Sequence, residues 1–445
     1  MGYDGVGDRG AGVRPFDVAL VGFGPTGAVL ANLCGLYGMR VLVFERSPEP
    51  YPQPRACHLD AEIARVLAQC GFDEQLHDLL TISAGMEYVD AEGTRLFSFE
   101  GFERSPLLGW HEDYVFVQPQ LDAMVRDGVR RFASVDVRLG EEAPPLAELL
   151  DAADWVVGCD GASSGTRRQL EVPLVDLGYD QEWLVVDLRI LPGTNLRLPD
   201  IIQQVCDVQR PTTFVPSHAW HRRWEFQLAP GENPDPWALL RPWGVTPEDA
   251  DLVRAVPYRF HALVASRWSG GPDGRVMLAG DAAHQMPPFM GQGMCSGIRD
   301  AANLAWKLAA VTRGEVVEVP ASYERERRPH VEAVTRLSVE AGRLLDDIAS
   351  ELAAGRVPAL PAPDAPDPNR WSRLPGLDLG GEFPVGHQVP GPPGLDELLG
   401  LEWAWVADRA DFRPHDGRRV IVEPAATYGR RAVLVRPDRY IAAVV

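Results

Sequence analysis

The part of the chain that most limits its fold lies in residues 17–45. An apolar run, DVALVG, indicates a buried parallel strand, and GFGPTG overlaps its end with glycines in GxGxxG spacing. A segment with apolar residues at helical spacing follows, and then a second strand, RVLVFE, ends at Glu45. This order is typical of nucleotide-binding folds. The sequence therefore predicts an α/β protein with a dinucleotide site.

The residues of the glycine-rich turn have separate roles. Gly22 allows the tight turn, Gly24 lets the backbone approach a pyrophosphate, and Gly27 lets the helix pack closely on the strand. Pro25 lies near the start of the helix, where its missing N–H costs nothing. We expect the helix N-terminus to face the phosphates and Glu45 to accept a hydrogen bond from a ribose hydroxyl. The motif does not choose between FAD and NAD(P).

Two later segments also end a predicted strand at an aspartate. The strand of DWVVGCDGASSGTRRQL ends at Asp160, and that of GRVMLAGDAAH ends at Asp281. An aspartate at the carboxyl end of a parallel strand lies where α/β sheets bind ligands. Each segment is also compatible with a simple helix cap, at Ser163 or Ser164 in the first case. The residues alone leave both interpretations open.

Charge and composition exclude several functions. The net charge of −20 argues against nucleic-acid binding, which needs basic patches. No apolar run reaches the roughly 18 residues of a membrane span. The 6 cysteines are widely spaced, without CxxC or Cys/His ligand spacing. We therefore expect no metal site, no disulfide and a cytoplasmic location.

Taken together, the motifs resemble one family. GxGxxG with its distal Glu, DGxxSxxR, and GDAAH…P…GQG…DAxNLxWKL occur here in the order found in group A flavoprotein monooxygenases. These are aromatic hydroxylases with the p-hydroxybenzoate hydroxylase fold. The segments YPQPRACHLDAEIARVL, VFVQPQLDAMV and VLVRPDRYIAAVV resemble in particular enzymes related to 3-(3-hydroxyphenyl)propionate hydroxylase. The resemblance extends from about residue 16 to the end of the sequence.

The resemblance implies that the cofactor is FAD. It places Gly22, Gly24 and Gly27 at the pyrophosphate, Glu45 at the adenosine ribose and Arg55 at the phosphates. The other residues that it assigns to the cofactor are Pro25, Thr26, Arg46, Gln120, Asp160, Arg167, Asp281, Pro288, Gly291, Gly293, Met294 and Cys295.

Several of these residues have a more specific implied role. Gln120 would hydrogen-bond FAD, Asp281 would hold the ribityl chain, and Asp160 with Arg167 would form a fingerprint that serves FAD and NAD(P)H. Cys295 stands where many relatives have Asn, and a thiol is a poor hydrogen-bonding group.

A helix is predicted to begin near Ser296 and to run through Lys307. Its N-terminus would face the pyrimidine edge of the flavin, which gains negative charge on reduction. Gly291 and Gly293 would allow the backbone to come close to the flat ring.

The resemblance also implies the chemistry. NAD(P)H would reduce FAD, O₂ would react at the C4a carbon, and a small aromatic or phenolic substrate would be hydroxylated. Pro288 would line the reaction side. His218 and Arg223 are the main candidates for a catalytic role, with His221 and Arg222 beside them, although each could instead be structural.

Two other functions fit the same motifs. One is a Baeyer–Villiger or epoxidising monooxygenase of an aromatic polyketide, because the fold supports several oxygenase reactions. The other is a flavin-binding reductase or a module without oxygenase activity.

The predicted architecture is a Rossmann-like FAD domain with an inserted β-sheet substrate domain and a shortened thioredoxin-like C-terminal domain. A Pro-rich linker, 356–376, precedes the last of these. The protein would act as a monomer or homodimer. The boundaries are 16–75, 107–178 and 270–345 for the FAD domain, 76–106 and 179–269 for the substrate domain, and 377–445 for the C-terminal domain.

Overall fold

The structure is a computed structural model that describes residues 14–100, 108–359, 377, 379–392 and 394–445. Residues 101–106 of the predicted substrate domain and 360–376 of the predicted linker lie outside the described residues.

The strands, in chain order, are β1 (Phe16–Val21), β2 (Val41–Glu45), β3 (His58–Asp60), β4 (Thr81–Ile82), β5 (Gly85–Asp90), β6 (Arg95–Glu100), β7 (Asp113–Val115), β8 (Val135–Leu139), β9 (Ala153–Gly158), β10 (Leu174–Ile190), β11 (Ile202–Cys206), β12 (Thr212–Val215), β13 (His221–Gln227), β14 (Ala250–Ala265), β15 (Ser269–Gly270), β16 (Val276–Leu278), β17 (His284–Gln285), β18 (Ala404–Ala407), β19 (Val420–Val422), β20 (Ala432–Val435) and β21 (Ile441–Val444).

The α-helices are α1 (Pro25–Leu36), α2 (Ala61–Leu67), α3 (Asp73–Leu79), α4 (Gln118–Gly128), α5 (Leu146–Ala152), α6 (Gly165–Gln169), α7 (Pro236–Leu240), α8 (Gln292–Thr312), α9 (Val319–Ala353) and α10 (Leu395–Leu399).

A six-stranded sheet contains the predicted β–α–β unit. Its order is β15-β16-β9-β1-β2-β8, and β1 lies between β9 and β2 and runs parallel to both. The interior of β1 is buried along its length, as expected for a parallel strand covered on both faces. Helix α1 connects β1 to β2 and packs against α8. The carboxyl ends of β1, β2, β9 and β16 therefore meet at one edge, where open α/β sheets bind ligands.

An eight-stranded sheet forms the second layer. Its order is β17-β14-β10-β13-β12-β11-β5-β6, and its pairs are antiparallel except β11 with β5. Trp183 and Phe260 on this sheet share one apolar core with Phe289 and with Val339 and Leu345 of α9. The sheet thus packs against the short 3₁₀ turn at Pro288–Met290 and against α9.

The C-terminal residues form a four-stranded sheet, β19-β18-β20-β21, with α10. Its core includes Val389, Leu399, Val406, Val433 and Ile441. A fourth sheet, with the three strands β3-β7-β4, lies earlier in the chain. The mixed α/β class is as predicted, while the likeness to thioredoxin and the domain boundaries stay predictions. Strand β17 joins the eight-stranded sheet, although the sequence assigns its segment to the FAD domain.

One prediction about an element was wrong. Helix α8 begins at Gln292, not near Ser296, because Gly291 adopts a left-handed conformation with φ of 62° and ends the preceding turn. Gly293 therefore lies inside the first turn of α8 and not in a loop before it.

Three further observations apply to the described part of the chain. All of its cysteines are free. It contains no group of three or more His, Cys, Asp or Glu side chains placed to hold a metal ion. None of its helices combines the length and the apolar character needed to cross a membrane.

Candidate flavin site

The glycine-rich turn is packed tightly on one side and open on the other. A Cβ at Gly22 would lie 2.5 Å from the carbonyl oxygen of Cys159, and one at Gly27 would lie 2.2 Å from that of Gly22. A Cβ at Gly24 would meet nothing within 4 Å. Gly24 is also the N-cap of α1, and no side chain caps that helix end. The free amides of α1 therefore face open space, as a bound phosphate requires.

Glu45 lies at the end of β2 beside this turn. Its Oε2 accepts a hydrogen bond from the backbone N–H of Phe23 at 2.9 Å, and its Oε1 accepts one from Ser47 at 2.9 Å. Each carboxylate oxygen has a second lone pair, so a ribose hydroxyl can still be bound. Arg126 stacks over the Phe23 ring at 5.2 Å. Arg46, the next residue after Glu45, is exposed.

The loop that carries Arg55 is held by a glutamine that the sequence reasoning missed. Gln118 Oε1 accepts hydrogen bonds from the backbone N–H groups of Arg55 and Ala56, at 2.8 and 2.7 Å. Gln118 is buried, whereas Gln120 is exposed. The helical spacing of Gln118, Leu121 and Val125, all on the buried face of α4, is the signal that could have identified it. Arg55 itself is exposed and stacks on Tyr51 at 4.6 Å.

The DGxxSxxR motif supports the neighbouring loop from inside. The Asp160 carboxylate accepts hydrogen bonds from the hydroxyls of Ser164 and Thr166, at 2.5 and 3.0 Å. Ser164 also caps α6. Arg167 is buried, and it donates to the backbone carbonyl oxygens of Ala282 at 2.8 Å and Ala162 at 2.7 Å. The motif thus joins the end of β9 to the GDAAH segment.

Asp281 lines the open edge of the sheet. Its side chain is exposed to solvent, and partial desolvation by the neighbouring protein raises its pKa. His284, three residues later, is buried and pairs through Nε2 with Asp300 Oδ2 at 2.7 Å. Asp300 also accepts the backbone N–H of Gly280 at 3.0 Å and Nε of Arg327 at 2.9 Å. His284 and Asp300 therefore hold the loop that presents Asp281.

The start of α8 is close to two other elements. A Cβ at Gly291 would clash with the His58 ring, and one at Gly297 would clash with Thr26 Oγ1 on α1. A Cβ at Gly293 would have only Met286, at 3.9 Å, in its surroundings. No side chain caps α8. Its first turn therefore offers open space and uncapped amides, which suit the electron-rich edge of a flavin.

Cys295 faces away from this open side. It is fully buried, and its Sγ lies 3.6 Å from the carbonyl oxygen of Gly291. Burial raises the pKa of its thiol. Met294, beside it, is half-buried.

His58 contributes charge next to this turn. Its Nδ1 lies 3.3 Å from the Gly291 carbonyl oxygen, and its Nε2 forms an ion pair with Asp113. Burial alone would lower the pKa of His58, but Asp113 outweighs it and raises the pKa well above the ordinary value. The Asp113 carboxylate therefore favours the protonated form of the His58 ring behind the start of α8.

The two candidate catalytic side chains on β13, His221 and Arg223, form buried ion pairs and hydrogen bonds. The Asp187 carboxylate binds three side chains. Its Oδ1 pairs with His221 Nε2 at 2.7 Å and with Arg223 Nε at 2.8 Å, and its Oδ2 pairs with Arg254. Arg223 also donates to the backbone carbonyl oxygen of Pro54 at 2.8 Å. Arg223 therefore ties the eight-stranded sheet to the Arg55 loop.

His218 and Pro288 are the more accessible candidates. His218 is half-buried, its Nδ1 lies 2.6 Å from the Thr81 hydroxyl, and burial lowers its pKa. Pro288 is half-buried and begins the turn that contacts the aromatic core. The neighbouring Arg222 donates to backbone carbonyl oxygens, including that of Ala219 at 2.8 Å.

A family of proteins described as having an FAD binding domain matches residues 15–338. The chain belongs to this FAD-binding family. The predicted cofactor is thereby confirmed. The assignment of FAD as cofactor agrees with the structure, because Gly24, Asp281 and the first turn of α8 all face open space at one edge of the sheet.

Two relatives resemble the chain over much of its length. A probable NADH-specific resorcinol 4-hydroxylase of Rhodococcus jostii (strain RHA1) is 33% identical, over 97% of this chain and 92% of that protein. A 3-(3-hydroxy-phenyl)propionate/3-hydroxycinnamic acid hydroxylase of Comamonas testosteroni is 37% identical, over 73% of this chain and 58% of that enzyme. The predicted resemblance to such enzymes is confirmed.

Solved structures share the fold. Aklavinone-11 hydroxylase, in a complex with FAD and aklavinone, superposes with a TM-score of 0.75 at 21% identity, over 97% of this chain and 96% of that one. An anhydrotetracycline hydroxylase from Streptomyces rimosus gives a TM-score of 0.74 at 23% identity, over 97% and 95%. The predicted fold class is confirmed.

Proposed function

We propose that the protein is an FAD-dependent, NADH-consuming monooxygenase that hydroxylates a small phenol of the resorcinol type. The observation that carries the proposal is the likeness to the probable NADH-specific resorcinol 4-hydroxylase, which spans nearly the whole length of both proteins. The relatives support the class of aromatic hydroxylase, and the open edge of the six-stranded sheet supports the binding of the flavin.

The described residues would hold FAD along this edge. The amides at the start of α1 and the Glu45 carboxylate would bind its pyrophosphate and adenosine ribose. Asp281 would accept hydrogen bonds from the ribityl chain, and the Arg55 loop, fixed by Gln118, would bring a positive charge to the phosphates. The uncapped first turn of α8 would stabilise negative charge on the flavin ring.

FAD, when bound, supplies hydride acceptance and oxygen activation. The chain contributes exclusion of water and control of charge. Phe289 of the Pro288 turn packs edge-on against Trp183 at 5.4 Å and against Phe260 at 6.1 Å. The Pro288 turn therefore packs on an apolar, aromatic surface. Such a surface excludes water, which limits the hydrolysis of reactive intermediates.

The protein that carries out this reaction would work in the cytoplasm as a monomer or homodimer. The free cysteines of the described residues are compatible with a reducing compartment. Size-exclusion chromatography with light scattering gives the oligomeric state.

Steady-state oxidation of NADH by the FAD-loaded protein tests the proposal. Resorcinol should accelerate the oxidation, and the product should carry one added oxygen on an intact ring by mass spectrometry and NMR. Oxidation that no member of a phenol panel accelerates would refute it. An added oxygen within a lactone or epoxide would instead support a Baeyer–Villiger or epoxidising reaction.

A further inference from the structure

The C-terminal sheet reaches the start of α8 through buried side chains. Tyr440, the residue just before the last strand, is 7% exposed. Its hydroxyl donates a hydrogen bond to Glu62 Oε1 at 2.8 Å, and Gln388 Nε2 donates to the same oxygen at 3.1 Å. Glu62 lies in the first turn of α2, so two residues of the C-terminal region fix one carboxylate of the FAD-binding part.

The other oxygen of Glu62 continues the connection. Arg299 Nε donates to Glu62 Oε2 at 2.6 Å, and its two remaining nitrogens donate to Gln292 Oε1 at 2.9 Å and Asp60 Oδ2 at 2.6 Å. Gln292 Nε2 also donates to Asp60 Oδ2, at 3.0 Å. Gln292 is the first residue of α8. A continuous chain therefore runs from Tyr440 through Glu62 and Arg299 to the turn that faces the open edge.

The attachment of the C-terminal sheet does not depend on Tyr440 alone. Arg65 of α2 binds both carboxylate oxygens of Asp396, at 2.7 and 2.8 Å, and Arg439 binds Asp396 at 2.7 Å. Arg436 binds Glu326 of α9 at 2.8 Å. Removal of the Tyr440 hydroxyl should therefore loosen Glu62 without releasing the sheet.

We propose that Tyr440 is a positioning residue of the flavin site, acting through Glu62 and Arg299 to set the place of Gln292 and the first turn of α8. The inference rests on the proposed placement of the flavin at that turn. Buried polar networks hold their members in one geometry only while every member is satisfied, because an unpaired group there is costly. Loss of the Tyr440 hydroxyl leaves Glu62 Oε1 with Gln388 as its remaining donor, so Glu62 is held less firmly, and the shift passes through Arg299 to Gln292 and the first turn of α8.

The substitution Tyr440→Phe tests this, with Tyr428→Phe as its matched control. The Tyr428 hydroxyl also lies in the C-terminal region, but it donates to the backbone carbonyl oxygen of Gln388 at 3.0 Å and not to Glu62. We expect Y440F to weaken FAD binding about threefold to tenfold, as for the loss of one buried hydrogen bond. It should also shift the midpoint potential of the bound flavin. Y428F should change neither.

A double-mutant cycle with Gln292→Ala separates positioning from general loosening. The effects of Y440F and Q292A on the free energy of FAD binding should be non-additive. The effects of Y428F and Q292A on the same free energy should be additive. Equal effects of Y440F and Y428F on affinity and potential, or additivity in both cycles, would overturn the inference. If the wild-type protein binds FAD and hydroxylates a phenol, such a result leaves the proposed function standing. A wild-type protein without FAD binding would contradict both.

Discussion

Two alanine substitutions in one turn should have opposite consequences. Gly24 has φ of −72° and ψ of −173°, which alanine adopts without strain, and its Cβ would meet nothing within 4 Å. The apoprotein of G24A should therefore be within about 0.5 kcal/mol of the wild type in stability. The methyl group would, however, occupy the space through which a pyrophosphate approaches the start of α1.

The expected loss of FAD affinity follows from the hydrogen bonds at that point. A hydrogen bond from a backbone amide to a charged phosphate contributes roughly 1.5–3 kcal/mol. Its loss would raise the dissociation constant of FAD about tenfold to hundredfold. Fluorescence titration of the apoprotein with FAD measures this directly.

Gly27→Ala is the control in the same turn. Its Cβ would lie 2.2 Å from the Gly22 carbonyl oxygen, so β1 and α1 must separate by roughly 1 Å to restore an ordinary contact. Overpacking of this kind costs about 1–3 kcal/mol. G27A should therefore lower the melting temperature of the apoprotein, while G24A should not. A G24A protein that binds FAD as the wild type does would refute the assignment of Gly24 to the pyrophosphate.

Three more predictions concern single side chains. Gln118→Leu should weaken FAD binding about tenfold, because two loop amides lose their acceptor; FAD titration measures this, and a wild-type affinity would contradict the role of Gln118. Asp281→Asn should weaken FAD binding roughly tenfold or more with an unchanged apoprotein melting temperature, and a wild-type affinity would argue against its ribityl contact. Burial opposes the charge of Glu326, but Arg436 and Lys307 outweigh it and lower its pKa to about 2. Because this pKa lies below the unfolded value, the stabilisation is complete above about pH 4.5 and is lost as the pH falls towards 2. Glu326→Gln should thus lower the melting temperature clearly near pH 6 and much less near pH 3, and an equal loss at both would contradict the shift.

The local motifs could be identified from the sequence because their structure depends on residues that are close together in the chain. The strand before Gly22, the helix after it and Glu45 form one continuous segment, and the structure places them as a β–α–β unit. The start of α8 was placed four residues too late by helical spacing, since the left-handed conformation of Gly291 is not visible in the apolar pattern.

The choice between similar residues was harder. In QPQLD, the contact of Gln118 with the Arg55 loop depends on which face of α4 meets that loop, so the sequence does not show it. The assignment of Gln120 to FAD stays a prediction. Arg223 and His221 suggested chemistry by residue type. In the structure both bind Asp187, a buried carboxylate of the neighbouring strand β10, and a catalytic role for Arg223 stays a prediction.

The sequence by itself determined the dinucleotide turn and the α/β class, because glycine spacing and the apolar runs of single strands are local properties. Its three motifs together carried the resemblance to the family. Only the tertiary structure decided which polar groups face the open edge and which support it from behind. Tyr440 and Glu62 are 378 residues apart in the chain, yet they share a hydrogen bond. Such contacts form when separate sheets and helices pack, so no local pattern of residues records them.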